Sequence, residues 1–258
     1  DLTPRTFEPW CRRRDAADFK DVHRVRIGEF PKLEKVGQSG EVKYGVFGEA
    51  EEKYRLATYA KAVAINRQTI INDDLGMVMD ALASYAGASS DLQSDVVYDI
   101  LISNPNMSDA VALFHATHAN LGTGGTSVLS ITGLGLGRKS MRLQKALDGK
   151  KIINANPRFL IVPAALELTA QQITAAVTVT ESGQVNPFSS QFAQAPIIEP
   201  RLDALSTTAW FLATDPSQVP TIEYAYLEGQ PGPRVETRMG FEVEGLEVKV
   251  ALDFAAKA

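Results

Sequence analysis

One stretch constrains this chain more than any other. Between residues 72 and 105, apolar side chains fall at Leu75, Val78, Leu82, Tyr85, Leu92, Val96 and Ile100. Spacings of three, four or their sums are helical rather than strand-like, so the pattern predicts one long helix. Asn72, Asp73 and Asp74 offer a capping oxygen and negative charge at its start, and Asn104 before Pro105 stops it, because proline disfavours helical geometry in its predecessor. About thirty residues at about 1.5 Å each make a rod of about 45 Å. A second flank, at Met79, Ala83, Ala86, Val97 and Leu101, is also apolar, so the rod is expected to bury two sides. Gly76 and Gly87 each cost about 1 kcal/mol relative to alanine, and packing has to supply what propensity lacks. Such a helix serves as a spine on which sheets are laid.

The 258 residues suffice for one large domain or two modest ones, and 45% hydrophobic with 22% charged residues is the composition of a globular protein. Apolar runs such as 159–162 fall far short of the roughly 20 residues that span a bilayer, and no charged-then-apolar leader opens the chain, so no membrane partner is expected. Cys11 is the only cysteine, which leaves packing or assembly to supply stability. A formal charge of −5 argues against a dedicated nucleic-acid reader.

Residues 1–36 are charged, proline-punctuated and aperiodic, and read as an extended arm. Phe7, Trp10, Phe19 and Phe30 sit in it, and aromatic rings in a polar arm need a place to bury themselves, such as a neighbouring subunit. Residues 37–66 read as a long β-hairpin: an outgoing run with Val42, Tyr44 and Val46, an acidic turn region at Glu49, Glu51 and Glu52, and a return over 54–65. A lone hairpin is marginal in water, so this one should lie on something else.

Beyond the spine, residues 130–147 read as a second helix, basic at Arg138, Lys139, Arg142 and Lys145 and stopped by Gly149. Residues 159–162 read as a buried strand, 164–176 as a short helix, 182–195 as a polar loop, and 197–198 and 210–213 as further strands, together a compact α/β unit. In the tail, Val235, Thr237, Met239, Phe241 and Val243 alternate with charges. The phase then flips to Leu246, Val248, Val250 and Leu252, which predicts a two-residue turn at Glu244 and Gly245. Residues 222–227 add a strand, and the resulting sheet is expected to pack on the spine.

Catalytic patterns fail on inspection. In the run Gly133, Gly135, Gly137, Arg138, Lys139, Ser140, arginine stands where a phosphate-cradling loop needs glycine before the lysine, so a helix start tolerating glycines is the simpler reading. His115 and His118 could share a helical face and hold a metal for a hydrolase. Only His23 and Cys11 remain to complete a four-ligand site, which favours hydrogen-bonded loop histidines. No serine occupies a nucleophile elbow. Arg12, Arg13 and Arg14 adjoin Asp15, which weakens any phosphate-seeking field and favours solvated or subunit-bridging roles.

Several strings, in order, carry a resemblance: Tyr54-Arg-Leu-Ala-Thr-Tyr-Ala-Lys61, Ile65-Asn-Arg-Gln-Thr-Ile-Ile-Asn-Asp-Asp-Leu-Gly76, Ala112-Leu-Phe-His-Ala-Thr-His-Ala-Asn-Leu121, Ile222-Glu-Tyr-Ala-Tyr-Leu-Glu-Gly229 and Pro231-Gly-Pro-Arg-Val-Glu-Thr-Arg-Met-Gly-Phe241. From about Phe19 onward the chain resembles the major head subunits of Mu-type tailed phages and prophages. That resemblance implies an α+β fold of the Hong Kong 97 type. It places an N-terminal arm at 1–36, an extended loop at 37–66, a peripheral domain at 67–107 and 217–258, and an axial domain at 108–216. It implies no enzyme and no cofactor. Its partners are copies of the chain in hexamers and pentamers, portal and decoration proteins, and packaged double-stranded DNA bound without sequence specificity. The place is the virion head, assembled in the host cytoplasm. Removal of an N-terminal segment by a prohead protease, as in many relatives, would account for a chain beginning at Asp1. Phe7, Trp10, Arg12, Arg13, Arg14, Tyr44, Phe47, Glu51, Glu52, Tyr54 and Arg55 are the expected inter-subunit contacts, and the isolated subunit is expected to expose Phe7, Trp10, Tyr44 and Phe47. A nanocompartment of the same fold, enclosing protein cargo, is the alternative.

Overall fold

The computed structural model describes residues 4–27, 49–72, 77–146, 149, 151–175, 191–192, 194–240 and 244–258. In chain order the strands and α-helices are β1 (Arg12–Ala16), β2 (Val22–Ile27), β3 (Glu49–Tyr54), β4 (Ala57–Asn66), α1 (Arg67–Ile71), α2 (Met77–Ser103), α3 (Ile131–Arg142), β5 (Pro157–Val162), α4 (Glu167–Thr174), β6 (Ile197–Ile198), β7 (Phe211–Thr214), β8 (Glu223–Leu227), β9 (Arg234–Gly240) and β10 (Gly245–Lys257). The chain divides into two compact units, one of residues 1–22, 54–101 and 222–258 and the other of 23–53 and 102–221.

The first unit is built on β10, whose 13 residues meet three partners. Along one edge it pairs antiparallel with β4 from Gly245↔Asn66 to Phe254↔Ala57. Along the other it pairs with β9 and then β8, and β1 adds to β8 in parallel. Alternation sorts the two faces of the β9–β10–β4 ladder. Glu236 meets Lys249 at 2.5 Å and Arg238 meets Glu247 at 2.5 Å on one face, while Val235, Val248 and Val63 lie on the other.

Helix α2 runs 27 residues and ends at Ser103, two residues before Pro105, as the Asn104–Pro105 stop predicted. Asn104 takes φ 45°, a left-handed conformation asparagine tolerates, and its side-chain amide brackets the Phe114 backbone, accepting from N at 2.7 Å and donating to O at 3.2 Å. The expected cap at Asn72 is corrected. Asn72 closes the separate short helix α1, whose N-cap is Asn66, accepting from the Gln68 amide. Asp73, Asp74 and Gly76 lie outside the described residues. Both expected apolar flanks contribute to the buried face, Ile100 from one and Val97 and Leu101 from the other, joined by Tyr98 and by the unexpected Ser89, Ser90, Gln93 and Ser94, whereas Leu92 and Val96 are only half-buried. Three serines are small enough to let the helix approach closely, and Gln93 is satisfied by the Tyr226 hydroxyl on β8, which donates to it at 2.7 Å.

Two strand pairings link distant parts of the chain. The run 54–65 lies mostly in β4, which belongs to the β10 sheet, while β3 pairs with β2 from the arm in a two-stranded sheet. The outgoing run at Val42, Tyr44 and Val46 lies outside the described residues. The tail turn is not at Glu244 and Gly245. Gly240 pairs with Gly245, and Gly245 is the first residue of β10 rather than a turn residue. Glycine is required there by contact: an added Cβ would stand 3.0 Å from Asn66 Cα and closer still to the Ile65 carbonyl.

In the second unit, β5 pairs antiparallel with β7 and parallel with β6. Leu129, Leu134, Leu160, Val162, Ala170 and Ile173 form its core, with Leu166, Phe192, Ile198, Trp210 and Leu212 packed around them. The Ser130 hydroxyl caps α3 by accepting from Gly133 at 3.0 Å. The helix stops at Arg142 rather than near 147. Lys145 then bridges Ile152, and Gly149, with φ +65°, turns the chain between them. Residues 182–190, expected as loop, lie outside the description.

Candidate functional site

The arm behaves differently at its two ends. Residues 5–11 form a turn, with the Cys11 amide donating to Phe7 O at 3.0 Å, that presses Phe7 and Trp10 into the first unit. Phe7 is fully buried, edge-on to Tyr224 with ring centroids 5.2 Å apart, and Trp10 is buried against Tyr98 at 5.9 Å. The Thr6 and Tyr98 hydroxyls meet at 2.8 Å, and Arg12 N donates to Ile222 O at 2.9 Å as β1 begins. The expectation that the isolated subunit exposes Phe7 and Trp10 is therefore corrected: both rings find their apolar partners on α2 and β8 of their own chain. Cys11 is buried alongside, and desolvation pushes its thiol pKa well up, so it stays a protonated core residue rather than a nucleophile. Burial likewise pushes the Tyr224 hydroxyl up to about 12.

Tyr54 is corrected in the same way. Its ring belongs to a buried cluster with Ala16, Leu56, Ala225 and Ala255, and its hydroxyl donates to Glu223 at 2.7 Å. Arginines of β1 point outward with local partners. Arg13 lies 3.6 Å from Asp15 and stacks over the Tyr226 ring at 5.3 Å, and Arg14 lies 3.4 Å from Glu223. Arg12 is half-buried. Arg55 is exposed and 3.5 Å from Asp21.

On β3, Glu51 bonds the His23 ring of β2 and lies 3.7 Å from Lys53, contacts that lower its carboxyl pKa, the histidine bond most. Glu52 accepts from the Ser108 amide at 2.7 Å. Tyr44 and Phe47 lie outside the described residues. The structure thus leaves Arg12, Arg13, Arg14, Glu51, Glu52 and Arg55 at the surface and takes Phe7, Trp10 and Tyr54 into the subunit.

The two loop histidines do not share a helical face, because only Ala116–His118 form a single 3-10 turn. His115 caps that turn, its Nδ1 accepting from Thr117 N at 3.1 Å. His118 has Nδ1 at 3.0 Å from Leu113 O and Nε2 at 2.8 Å from Asp109. Oxygen acceptors at both ring nitrogens favour two protons, so Asp109 first, then Leu113 O, raises the His118 pKa, while His118 lowers that of Asp109. An imidazole holding both protons has no lone pair for a metal, and no cluster of three metal-ligating side chains occurs among the described residues. The glycine-rich run 133–140 lies inside α3, where Gly133 is buried and a Cβ on Gly137 would stand 3.0 Å from Leu212 and 3.1 Å from Trp210. Those glycines serve close packing of helix on strand rather than phosphate.

A family model described as phage capsid protein matches residues 49–258. No curated protein matches the chain by sequence. Among solved structures the chain is similar to the capsid of cyanophage Pam1, at 13% identity and TM-score 0.61, over 98% of this chain and 88% of that one. It is similar to a chain of Microbacterium phage Oxtober96, at 8% identity and TM-score 0.60, over 98% and 84%. The holo-SrpI encapsulin complex of Synechococcus elongatus PCC 7942 gives 10% identity and TM-score 0.57 over 100% and 84%.

Proposed function

The chain belongs to the phage capsid protein family, whose model spans residues 49–258, and we propose that it is a Mu-type major head subunit closing with its copies into an icosahedral shell around double-stranded DNA. The observation that carries the proposal is that match, joined to a fold that follows phage capsid chains over nearly its full length. The shell is assembled in the host cytoplasm and becomes the virion head, with portal and decoration proteins as further partners. The protein works by shape and contact, with no catalytic step.

In this reading the unit built on α2 and β10 is the peripheral domain and the unit built on α3 and β5 the axial domain. The interleaving of the two in the chain supports that assignment. Strands β2 and β3 lead into and out of the extended loop, which reaches a neighbouring copy. Arg12, Arg13, Arg14, Glu51, Glu52 and Arg55 supply polar contacts between subunits, and Tyr44 and Phe47 at the loop supply apolar ones.

Electron microscopy of the purified protein tests the proposal. Closed shells, rings or tubes are the expected result, and a monodisperse monomer under every assembling condition contradicts it. The nanocompartment alternative draws on the encapsulin likeness and is separated by contents. Nuclease-protected double-stranded DNA in shells from a phage-producing cell supports a head, and a stoichiometric co-purifying enzyme supports a compartment.

A further inference from the structure

Charge is distributed unevenly in this chain. Residues 131–158 hold Arg138, Lys139, Arg142, Lys145, Lys150, Lys151 and Arg158 against a single acid, Asp148, so a chain of formal charge −5 carries +6 in this segment and −11 over the rest. The fold gathers part of that charge on one surface. The inner face of α3 packs on β7 through Gly137, and its outer face presents Leu136, Lys139 and Leu143, with Arg142 exposed beside them. Immediately after the helix, the Lys145↔Ile152 bridge sets an exposed lysine beside an exposed isoleucine. Arg142 is fixed by neutral acceptors, donating to Asn154 at 3.2 Å and Asn156 at 3.0 Å. Among the described residues no carboxylate pairs with Lys139 or Lys145.

Apolar side chains are interleaved with these cations, since Leu136, Leu143 and Ile152 are 43%, 52% and 52% exposed. A surface that only grips phosphate needs cations and amides, whereas exposed leucine and isoleucine beside those cations gain from burial against a protein. The remainder of the same chain, strongly acidic, supplies a complementary partner. Identical subunits arranged in a ring join by heterologous contacts, in which one patch meets a different patch on the next copy.

We propose that the outer face of α3 with the Lys145↔Ile152 bridge is a heterologous interface that takes an acidic face of a second copy of this chain. The proposal rests on the shell reading above and adds to it the place and the electrostatic character of one contact. It makes assembly salt-sensitive through this face, because exposed charge attraction fades as the screening length shortens.

The test compares the full chain with the double variant Lys139→Glu, Lys145→Glu and with the charge-keeping variant Lys139→Arg, Lys145→Arg. Assembly is followed by light scattering and electron microscopy over a range of protein concentration, from about 0.05 M to about 0.5 M salt. Thermal melting of the unassembled subunit verifies the fold of each. The glutamate variant is expected to need at least a tenfold higher concentration to assemble, with unchanged melting and a flattened salt response, while the arginine variant follows the parent. Equal assembly of parent and glutamate variant overturns the proposal and leaves the shell reading standing. A parent that never associates overturns both. A labelled random-sequence duplex is titrated in parallel. Loss of duplex binding in the glutamate variant, with assembly intact, assigns the face to nucleic acid instead and overturns the proposal.

Discussion

Replacing Phe7 by alanine should weaken the unassembled subunit itself, by about 3 kcal/mol, and not merely slow its assembly. The ring has no exposed surface and lies edge-on to Tyr224 at 5.2 Å. Truncating a core phenylalanine costs about 3–5 kcal/mol, and an edge-to-face pair adds about 0.5–1.5 kcal/mol. Because the ring sits in a turn rather than in a helix or strand, the segment can shift to relieve part of the cavity, which holds the cost to the lower end of that range. The assay is urea unfolding below the assembly concentration. The chain has two tryptophans. With Trp210→Phe in both proteins, the fluorescence of Trp10 alone reports the first unit. At about 2 kcal/mol per molar urea, the loss moves the midpoint down by about 1.5 M. A midpoint unchanged within about 0.2 M, with assembly lost, refutes the packing of this turn on its own subunit and returns Phe7 to a neighbour's surface.

Gly245→Ala should cost about 2–3 kcal/mol, read as a lower melting temperature, because the new methyl collides with the backbone of Ile65 and Asn66, which has no rotamer by which to yield. Asp253 is buried, accepts from Thr58 at 2.5 Å and pairs with Arg234 at 3.0 Å, so Arg234→Ala strands a buried carboxylate. With Arg234 itself 38% exposed, the expected loss by chemical denaturation is about 2 kcal/mol rather than that of a fully buried pair. The Asp109–His118 contact stabilises its loop between two limits. The raised His118 pKa makes its contribution complete below the ordinary histidine value and lost as pH rises through the folded value; the lowered Asp109 pKa makes its contribution vanish as pH falls through that folded value. Proton NMR titration should give a His118 midpoint above 6.5 that falls in Asp109→Asn; an unmoved midpoint contradicts the pairing.

Features set by neighbours in sequence were legible, and those set by distant partners were not. The stop of α2 followed from Asn104 and Pro105, and β5 from its apolar run before Pro163, because both signals are local. The pairing of β4 with β10 was not legible, since β10 lies far along the chain and alternation specifies a face but not a neighbour. Periodicity found Val97, Ile100 and Leu101 on the buried side of α2 but missed Ser89, Ser90, Gln93 and Ser94 because they are polar, and the Tyr226 hydroxyl is what satisfies Gln93 in the core. Phe7 and Trp10 were recognised as rings needing burial, but nothing local distinguishes a site on the same chain from one on a copy. Gly245 looked like a turn residue, and its requirement comes instead from the Ile65 carbonyl across the sheet.

A capsid subunit does its work by assembling with its copies. Mass photometry of the purified full chain, in low salt and then in high salt, tests it most directly. A population of large particles with masses at integral multiples of the 28.0 kDa subunit, receding as salt rises, is the predicted result. A single 28.0 kDa peak at every concentration and salt contradicts it.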